Sequence, residues 1–142
     1  LKFTKNIVQG KPIQIHNHGH MKRDFTNVFD LVEAISLLIN VKPLIPKKRN
    51  KKIKFDSISN SAPYRIINIG NSDSVNLLDY IKEIENALGL TAIKNFVEMQ
   101  DGELIETSSN IQLLKKLTGF KPQKKLKEGI LEFVNWYKSY YK

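Results

Sequence analysis

Residues 64–69, Tyr-Arg-Ile-Ile-Asn-Ile, place the strongest constraint on what this chain can fold into. The run is almost continuously apolar and β-branched, and Pro63 and Gly70 bound it. Such a run is typical of a strand covered on both faces, and strands of that kind belong to parallel sheets. Apolar residues then recur at helical spacing over residues 77–88, and Gly89 follows them. Together these segments predict half of a βαβ unit, and therefore an α/β fold.

The remaining sequence predicts mostly helices with a few short strands. Apolar spacing indicates helices over residues 1–9, 29–40 and 111–117, and a last helix from about residue 125 onward. Alternation indicates short strands near residues 13–17 and 93–99. Ser109 is the expected cap of one helix, and Asn76 with Asp79 resembles a capping box. With 142 residues, the chain is long enough for one modest core and short for two domains.

Most of the net charge of +9 comes from one segment of the chain. Without that segment's seven basic residues, 16 of the 23 Lys and Arg remain against 14 acidic residues. A nucleic-acid-binding surface would instead line a folded face with basic side chains, so we expect no nucleic-acid partner. Three prolines and the absence of any period predict a mobile basic loop over residues 41–63. Its basic residues are Lys42, Lys47, Lys48, Arg49, Lys51, Lys52 and Lys54.

The sequence contains no cysteine, no signal peptide and no long apolar run. Disulfides and thiolate metal sites are therefore excluded, no membrane partner is expected, and a cytoplasmic location is the default. The chain starts at Leu1 without a methionine, with apolar residues already at helical spacing. We therefore expect it to be a piece of a longer protein.

All three histidines and an Arg-Asp pair fall within residues 15–30. In a continuous strand, His16, His18 and His20 would share one face and could bind a metal ion, but Gly19 interrupts the pattern. A polar strand end that contacts a ligand, or plain surface histidines, are the other interpretations. Arg23 is suited to grip a phosphate if the neighbouring Asp24 carboxylate holds its planar fork, whereas a structural or surface pair is the alternative.

Motifs that carry chemistry by themselves are absent from these 142 residues. There is no Walker loop, no G-x-G-x-x-G and no Ser-His-Asp order. Local chemistry alone therefore predicts neither catalytic nor cofactor-binding residues in the chain.

Taken in order, the segments resemble the C-terminal part of an extended short-chain dehydrogenase/reductase, specifically a nucleotide-sugar epimerase or dehydratase close to the UDP-glucuronate 4-epimerases. The resemblance covers essentially the whole chain except the basic loop. It is carried by Phe3-Thr4-Lys5, Gly10-Lys11-Pro12-Ile13, Asn17-His18-Gly19, Arg23-Asp24-Phe25-Thr26, Asp30, Tyr64-Arg65-Ile66-Ile67-Asn68-Ile69-Gly70-Asn71-Ser72, Leu78-Asp79-Tyr80-Ile81, Met99-Gln100-Asp101-Gly102-Glu103, Gly119-Phe120-Lys121-Pro122, Glu128-Gly129-Ile130 and Phe133-Val134-Asn135-Trp136-Tyr137.

The resemblance implies that residues 1–142 are the substrate-binding C-terminal portion of a longer enzyme. Its NAD would be bound by an N-terminal Rossmann domain that is absent from this chain. The parent would be a homodimeric isomerase for polysaccharide precursors, interconverting UDP-glucuronate and UDP-galacturonate through a 4-keto intermediate. The fragment alone would be inactive. Alternatives are a decarboxylase, dehydratase or reductase of the same fold, or a non-enzymatic basic binding module.

The resemblance also implies substrate-binding roles for five residues. Arg23 matches the arginine that contacts the UDP diphosphate, and Gln100 occupies a second diphosphate position. His16 and Asn17 lie where the family's strand passes the uracil, mainly through backbone contacts. Glu103 matches the acidic residue that bonds the ribose, although the family more often has Asp there.

Overall fold

The computed structural model describes residues 1–44 and 55–141. These ranges contain five helices and four short strands, and the helices follow the predicted order. No helix in these two ranges could cross a bilayer, since the longest has 15 residues and a span needs about 20. The elements are α1 (Lys2–Val8), β1 (Ile13–Ile15), β2 (Lys22–Asp24), α2 (Val28–Ile39), β3 (Ser74–Asn76), α3 (Leu77–Leu88), β4 (Lys94–Phe96), α4 (Gln112–Thr118) and α5 (Leu126–Tyr140), with a 3-10 turn, His16–Gly19, between β1 and β2.

The chain forms two compact units, each with its own apolar cluster, where the sequence led us to expect one core. Unit 1 comprises Leu1–Phe25, Ser74–Thr107 and Lys124–Lys142. Unit 2 comprises Thr26–Asp73 and Ser108–Gln123. Because both units are assembled from segments distant in the sequence, local periodicity could not separate them.

The core of unit 1 is built on a parallel pair, β1 and β4, in which Ile13 lies beside Lys94 and Ile15 beside Phe96. α3 supplies one apolar face at i, i+3 and i+7, and α5 packs against it. Both predicted strands and both predicted helices are therefore confirmed. The buried cluster consists of Ile7, Ile13, Ile15, Ile81, Ile84, Leu88, Ala92, Ile130 and Val134.

A second small sheet in unit 1 pairs β2 and β3 in antiparallel fashion, with Arg23 opposite Val75. On its other side, the Lys22 N–H donates to the Ile105 carbonyl at 2.8 Å, and the Thr107 N–H donates to the Lys22 carbonyl at 3.2 Å. The sequence predicted only a turn before α3, so β3 was missed. Three residues are too few to show a period that could have revealed it.

Unit 2 packs α2 and α4 around Ala34, Ile111 and Leu114. Burial along α2 is narrower than its apolar spacing predicted. Ala34 is buried, whereas Ile35 and Ile39 are exposed. α4 begins after Ile111, and the Gln112 N–H donates to Asn110 Oδ1 rather than to the predicted cap, Ser109.

The strand predicted at residues 64–69 is not formed in the described ranges. The segment alternates in exposure, with Ile67 and Ile69 against the apolar cluster and Ile66 exposed, but no strand lies beside it in the described ranges. An extended segment needs a neighbour to complete its ladder hydrogen bonds. Here the Ile66 N–H donates to Ser57 Oγ instead. The predicted half βαβ unit is therefore not formed within residues 1–44 and 55–141.

The predicted basic loop lies partly outside the described residues, which exclude 45–54. Residues 41–44 and 55–63 contain neither helix nor strand, as expected. In unit 2, Arg65 reaches back to this segment. Its Nε and Nη2 donate to the two carboxylate oxygens of Asp56 at 2.9 and 3.2 Å.

Candidate functional site

Arg23 lies in the middle of the β2 strand, and two backbone carbonyls hold its guanidinium. Nη1 donates to the Lys22 carbonyl at 2.8 Å and to the Ile105 carbonyl at 3.3 Å, while Nη2 lies 4.0 Å from Met21 Sδ. The sequence suggested that the neighbouring Asp24 would hold it. Successive side chains of a strand point to opposite faces, and the partners of Arg23 in the described ranges are the carbonyls and this thioether.

These contacts leave one side of the guanidinium fork available. A guanidinium has five N–H donors, and both hydrogens of Nη1 are used in the two bonds to carbonyls. Nε and the second Nη2 hydrogen have no hydrogen-bond partner within residues 1–44 and 55–141. Two parallel donors of this kind match the spacing of phosphate or carboxylate oxygens. The side chain is partly exposed, so an anion could reach it.

The 3-10 turn after β1 carries His16 and Asn17 and has an unusual backbone. Asn17 and His18 both have positive φ, at 48° and 50°. Asn17 tolerates this region better than most residues, and its Nδ2 donates to the His20 carbonyl at 2.8 Å. The Asn17 side chain therefore closes the turn.

This turn also places the three histidines in different surroundings. A 3-10 turn does not keep alternate residues on one face, and within the described ranges no group of three metal-ligating side chains could hold an ion. His18 Nε2 lies 3.0 Å from Glu98 Oε1 in an exposed pair. His16 lies instead beside the carboxylate of Glu103.

Gln100 and Glu103 are joined in a tight turn. The Glu103 N–H donates to the Gln100 carbonyl at 3.2 Å, and the Gln100 N–H donates to Glu103 Oε2 at 2.9 Å. Gly102 has φ +83°, as the third residue of a type II turn requires. The turn places Glu103 Oε2 3.3 Å from His16 Nδ1.

The structure thus brings three of the five predicted residues into contact, and it holds Arg23 nearby. His16, Gln100 and Glu103 meet at the turn, and Ile105, two residues after Glu103, carries the carbonyl that holds Arg23. Asn17 takes part through the turn that begins at His16. Chemically, the fork could hold an anion and the carboxylate could accept bonds from hydroxyl groups.

Sequence reasoning missed two residues that build this site. The Ile105 carbonyl anchors Arg23, and Thr107 Oγ1 accepts a bond from the Asp24 N–H at 3.3 Å. The Ile105 contact uses the main chain, so no residue type signals it. The Thr107 carbonyl also accepts a hydrogen bond from Ser74 Oγ at 3.0 Å. A lone threonine in a loop gives no sequence pattern that could have revealed these contacts.

No family model matches the chain. Sequence relatives nevertheless match almost all of it. Protein CapI of Staphylococcus aureus is 45% identical over 141 residues, which are 99% of this chain and 42% of that protein. A probable UDP-glucuronate 4-epimerase of Rhizobium meliloti is 39% identical over 141 residues, 99% of this chain and 41% of that protein.

A solved structure gives the same result at the level of the fold. UDP-glucuronic acid 4-epimerase from Bacillus cereus, in complex with UDP-glucuronic acid and NAD, superimposes with a TM-score of 0.75 at 25% identity. The match covers 96% of this chain and 38% of that one. The chain therefore spans about two fifths of the relatives it matches, and the matched portion is their C-terminal part.

Proposed function

We propose, from the premise that this chain belongs to the nucleotide-sugar epimerases of the extended short-chain dehydrogenase/reductase family, that it forms the UDP-sugar-binding portion of an NAD-dependent 4-epimerase. The substrate we propose is UDP-glucuronate, converted to UDP-galacturonate through a 4-keto intermediate for polysaccharide precursors. The bacterial relatives and the solved UDP-glucuronic acid complex support this choice. A homodimeric parent in the cytoplasm is part of the same proposal.

The observation that carries the proposal is the anchored but incompletely used guanidinium of Arg23. Two carbonyls fix its orientation before a ligand arrives, so little rotamer entropy is lost when an anion binds. The Nε and Nη2 donors can then form two parallel bonds to the diphosphate of the nucleotide. An epimerase must hold the nucleotide firmly, because the sugar of the keto intermediate has to rotate within the site without dissociating.

The residues of this chain do not fit the cofactor. Of the parallel strands, β1 leads into the 3-10 turn and β4 leads toward the Gln100–Glu103 turn. Neither opens directly into a helix N-terminus, where a dinucleotide pyrophosphate would bind. The sequence also lacks a glycine-rich loop and a Tyr-x-x-x-Lys pair. We therefore assign NAD binding and the redox step to the remainder of the parent enzyme, and we expect this chain alone to show no turnover.

The proposal is tested by substituting Arg23 in the full-length enzyme. A charge-assisted contact is worth roughly 1.5–3 kcal/mol, so Arg23→Ala should raise the KM for UDP-glucuronate about 10- to 150-fold. Lys22→Ala is the matched control, because it removes one positive charge from the neighbouring position on the opposite face of β2. Equal KM changes in the two variants would remove Arg23 from the site.

The reaction itself is tested by following products. Incubation of the full-length enzyme with UDP-glucuronate and NAD should give an equilibrium mixture with UDP-galacturonate, observed by proton NMR. Release of carbon dioxide, or loss of water from the sugar, would instead assign the chain to a decarboxylase or a dehydratase of the same fold.

A further inference from the structure

The carboxylate of Glu103 has one committed oxygen and one available oxygen. Oε2 accepts the Gln100 N–H at 2.9 Å and lies 3.3 Å from His16 Nδ1. Oε1 has no partner among the residues that the structure describes. The Glu103 side chain is 28% exposed, so Oε1 can be reached from solvent.

The imidazole of His16 is aimed at this carboxylate without being bonded to it in good geometry. Nδ1 is buried from solvent and has no well-formed hydrogen bond in the described ranges, although Oε2 is 3.3 Å away. A buried polar atom without a partner destabilises the fold. Alignment of His16 Nδ1 with Glu103 Oε2 in a hydrogen bond would therefore stabilise the site. Hydrogen bonds in unliganded sites are often long and tighten when the ligand arrives.

The surroundings of the pair indicate what it would bind. A carboxylate accepts hydrogen bonds and repels anions, whereas the Arg23 fork attracts anions. Glu103 and the Ile105 carbonyl that anchors Arg23 are two residues apart, at most about 7 Å of chain. A ligand that satisfies both carries a phosphate and hydroxyl groups close together, which describes the ribose and diphosphate of a nucleotide.

We propose that His16 is a positioning residue, which holds Oε2 of Glu103 so that Oε1 accepts the ribose 2′-hydroxyl of the bound nucleotide. This inference rests on the proposed function. The side chain of His16 acts on the substrate only through Glu103, and its contribution is discrimination between ribonucleotide and 2′-deoxyribonucleotide sugars.

The test compares two polar substitutions of His16 in the full-length enzyme. His16→Asn keeps an N–H near the position of Nδ1, whereas His16→Gln moves it toward the position of Nε2 and leaves Oε2 without that donor. The measured quantity is the KM ratio between 2′-deoxy-UDP-glucuronate and UDP-glucuronate. We expect a ratio of about tenfold or more in the unsubstituted enzyme and in His16→Asn, and a ratio near one in His16→Gln.

The control is His20→Leu, which removes another imidazole from the same segment at an exposed position and should leave the ratio unchanged. If His16→Gln does not fold, His16→Leu carries the test with the same expectation. A ratio that stays the same in His16→Gln or His16→Leu would overturn the inference. Failure of the proposed function is separate, since it would appear as an unchanged KM in Arg23→Ala.

Discussion

The rings of Phe25 and Tyr80 are stacked almost in parallel, with centroids 4.1 Å apart and planes 8° apart. Phe25 follows β2, the strand that carries Arg23, and Tyr80 lies in α3. Burial raises the pKa of the Tyr80 hydroxyl above its ordinary value. The Phe25–Tyr80 stack packs the end of β2, the strand that carries Arg23, against α3 of the unit 1 core.

This stack should be measurable as a coupling energy. In a double-mutant cycle of Phe25→Leu and Tyr80→Leu, we expect an interaction of about 0.5–1.5 kcal/mol beyond the loss of buried area. Chemical denaturation of the four proteins measures it. Tyr80→Phe keeps the ring and should lie close to the unsubstituted protein. Strictly additive losses would show that the stacked rings have no interaction energy beyond their separate burial.

The turn that carries His16 and Asn17 ends at Gly19, and this position should not tolerate a side chain. Gly19 has φ +83°, and a Cβ there would lie 2.8 Å from Leu78 Cγ and Cδ2. Gly19→Ala should therefore cost more than the roughly 1–2 kcal/mol of left-handed backbone strain. Gly10→Ala is the control, since Gly10 has φ +64° and open space around its Cβ position.

A second substitution separates the two parts of the Gly19 effect. If the clash with Leu78 matters, Leu78→Ala should cost less in the Gly19→Ala background than in the unsubstituted protein. Denaturation midpoints give both differences. Equal costs for Gly19→Ala and Gly10→Ala would show that the close approach to Leu78 relaxes freely.

The Asp56–Arg65 ion pair should be important for unit 2. The side chains are 1% and 8% exposed, and the two bonds are parallel. Asp56→Asn leaves the guanidinium buried without its counter-charge, so we expect a loss of about 3–5 kcal/mol in the free energy of unfolding. Glu132→Gln breaks the exposed Lys124–Glu132 pair and should cost at most about 1 kcal/mol. Similar losses in the two variants would contradict this ranking.

Glu85 should make unit 1 sensitive to acid. Its Oε1 accepts the Lys94 ammonium at 2.5 Å and the Ala92 N–H at 2.8 Å. Burial alone would raise the pKa of Glu85, but these bonds, with the charges of Lys94 and Lys82, outweigh it and hold the pKa below its usual value of 4.5.

A carboxyl group whose pKa is lowered by folding stabilises the protein above its unfolded pKa, and this contribution disappears as the pH falls through the folded pKa. Glu85→Gln should therefore destabilise the protein at neutral pH, and its difference from the unsubstituted protein should shrink below about pH 4.5. Thermal melts across this range provide the measurement. Glu83→Gln, on the same helix, is the control, and a pH-independent difference for Glu85→Gln would refute the assignment.

The local sequence determined the helices, the glycine ends of α3 and α4, and the positions of β1 and β4, whereas the parallel pairing of β1 with β4 came from the tertiary structure. Periodicity and caps act within a few residues, so the end of α3 at Gly89, with φ +70°, could be predicted from the sequence. The same local reasoning failed at residues 64–69, because whether an apolar run becomes a paired strand depends on a neighbour that the run does not encode.

The site divides in the same way. Residue types and the family resemblance identified Arg23, His16, Gln100 and Glu103 as candidates. Only the tertiary structure decided that a carbonyl 82 positions away anchors Arg23, and that His16 faces Glu103. Main-chain acceptors are the same at every residue, and contacts between distant segments arise from packing. Neither leaves a pattern in the sequence, which is why the geometry of the fork and of the carboxylate had to come from the fold.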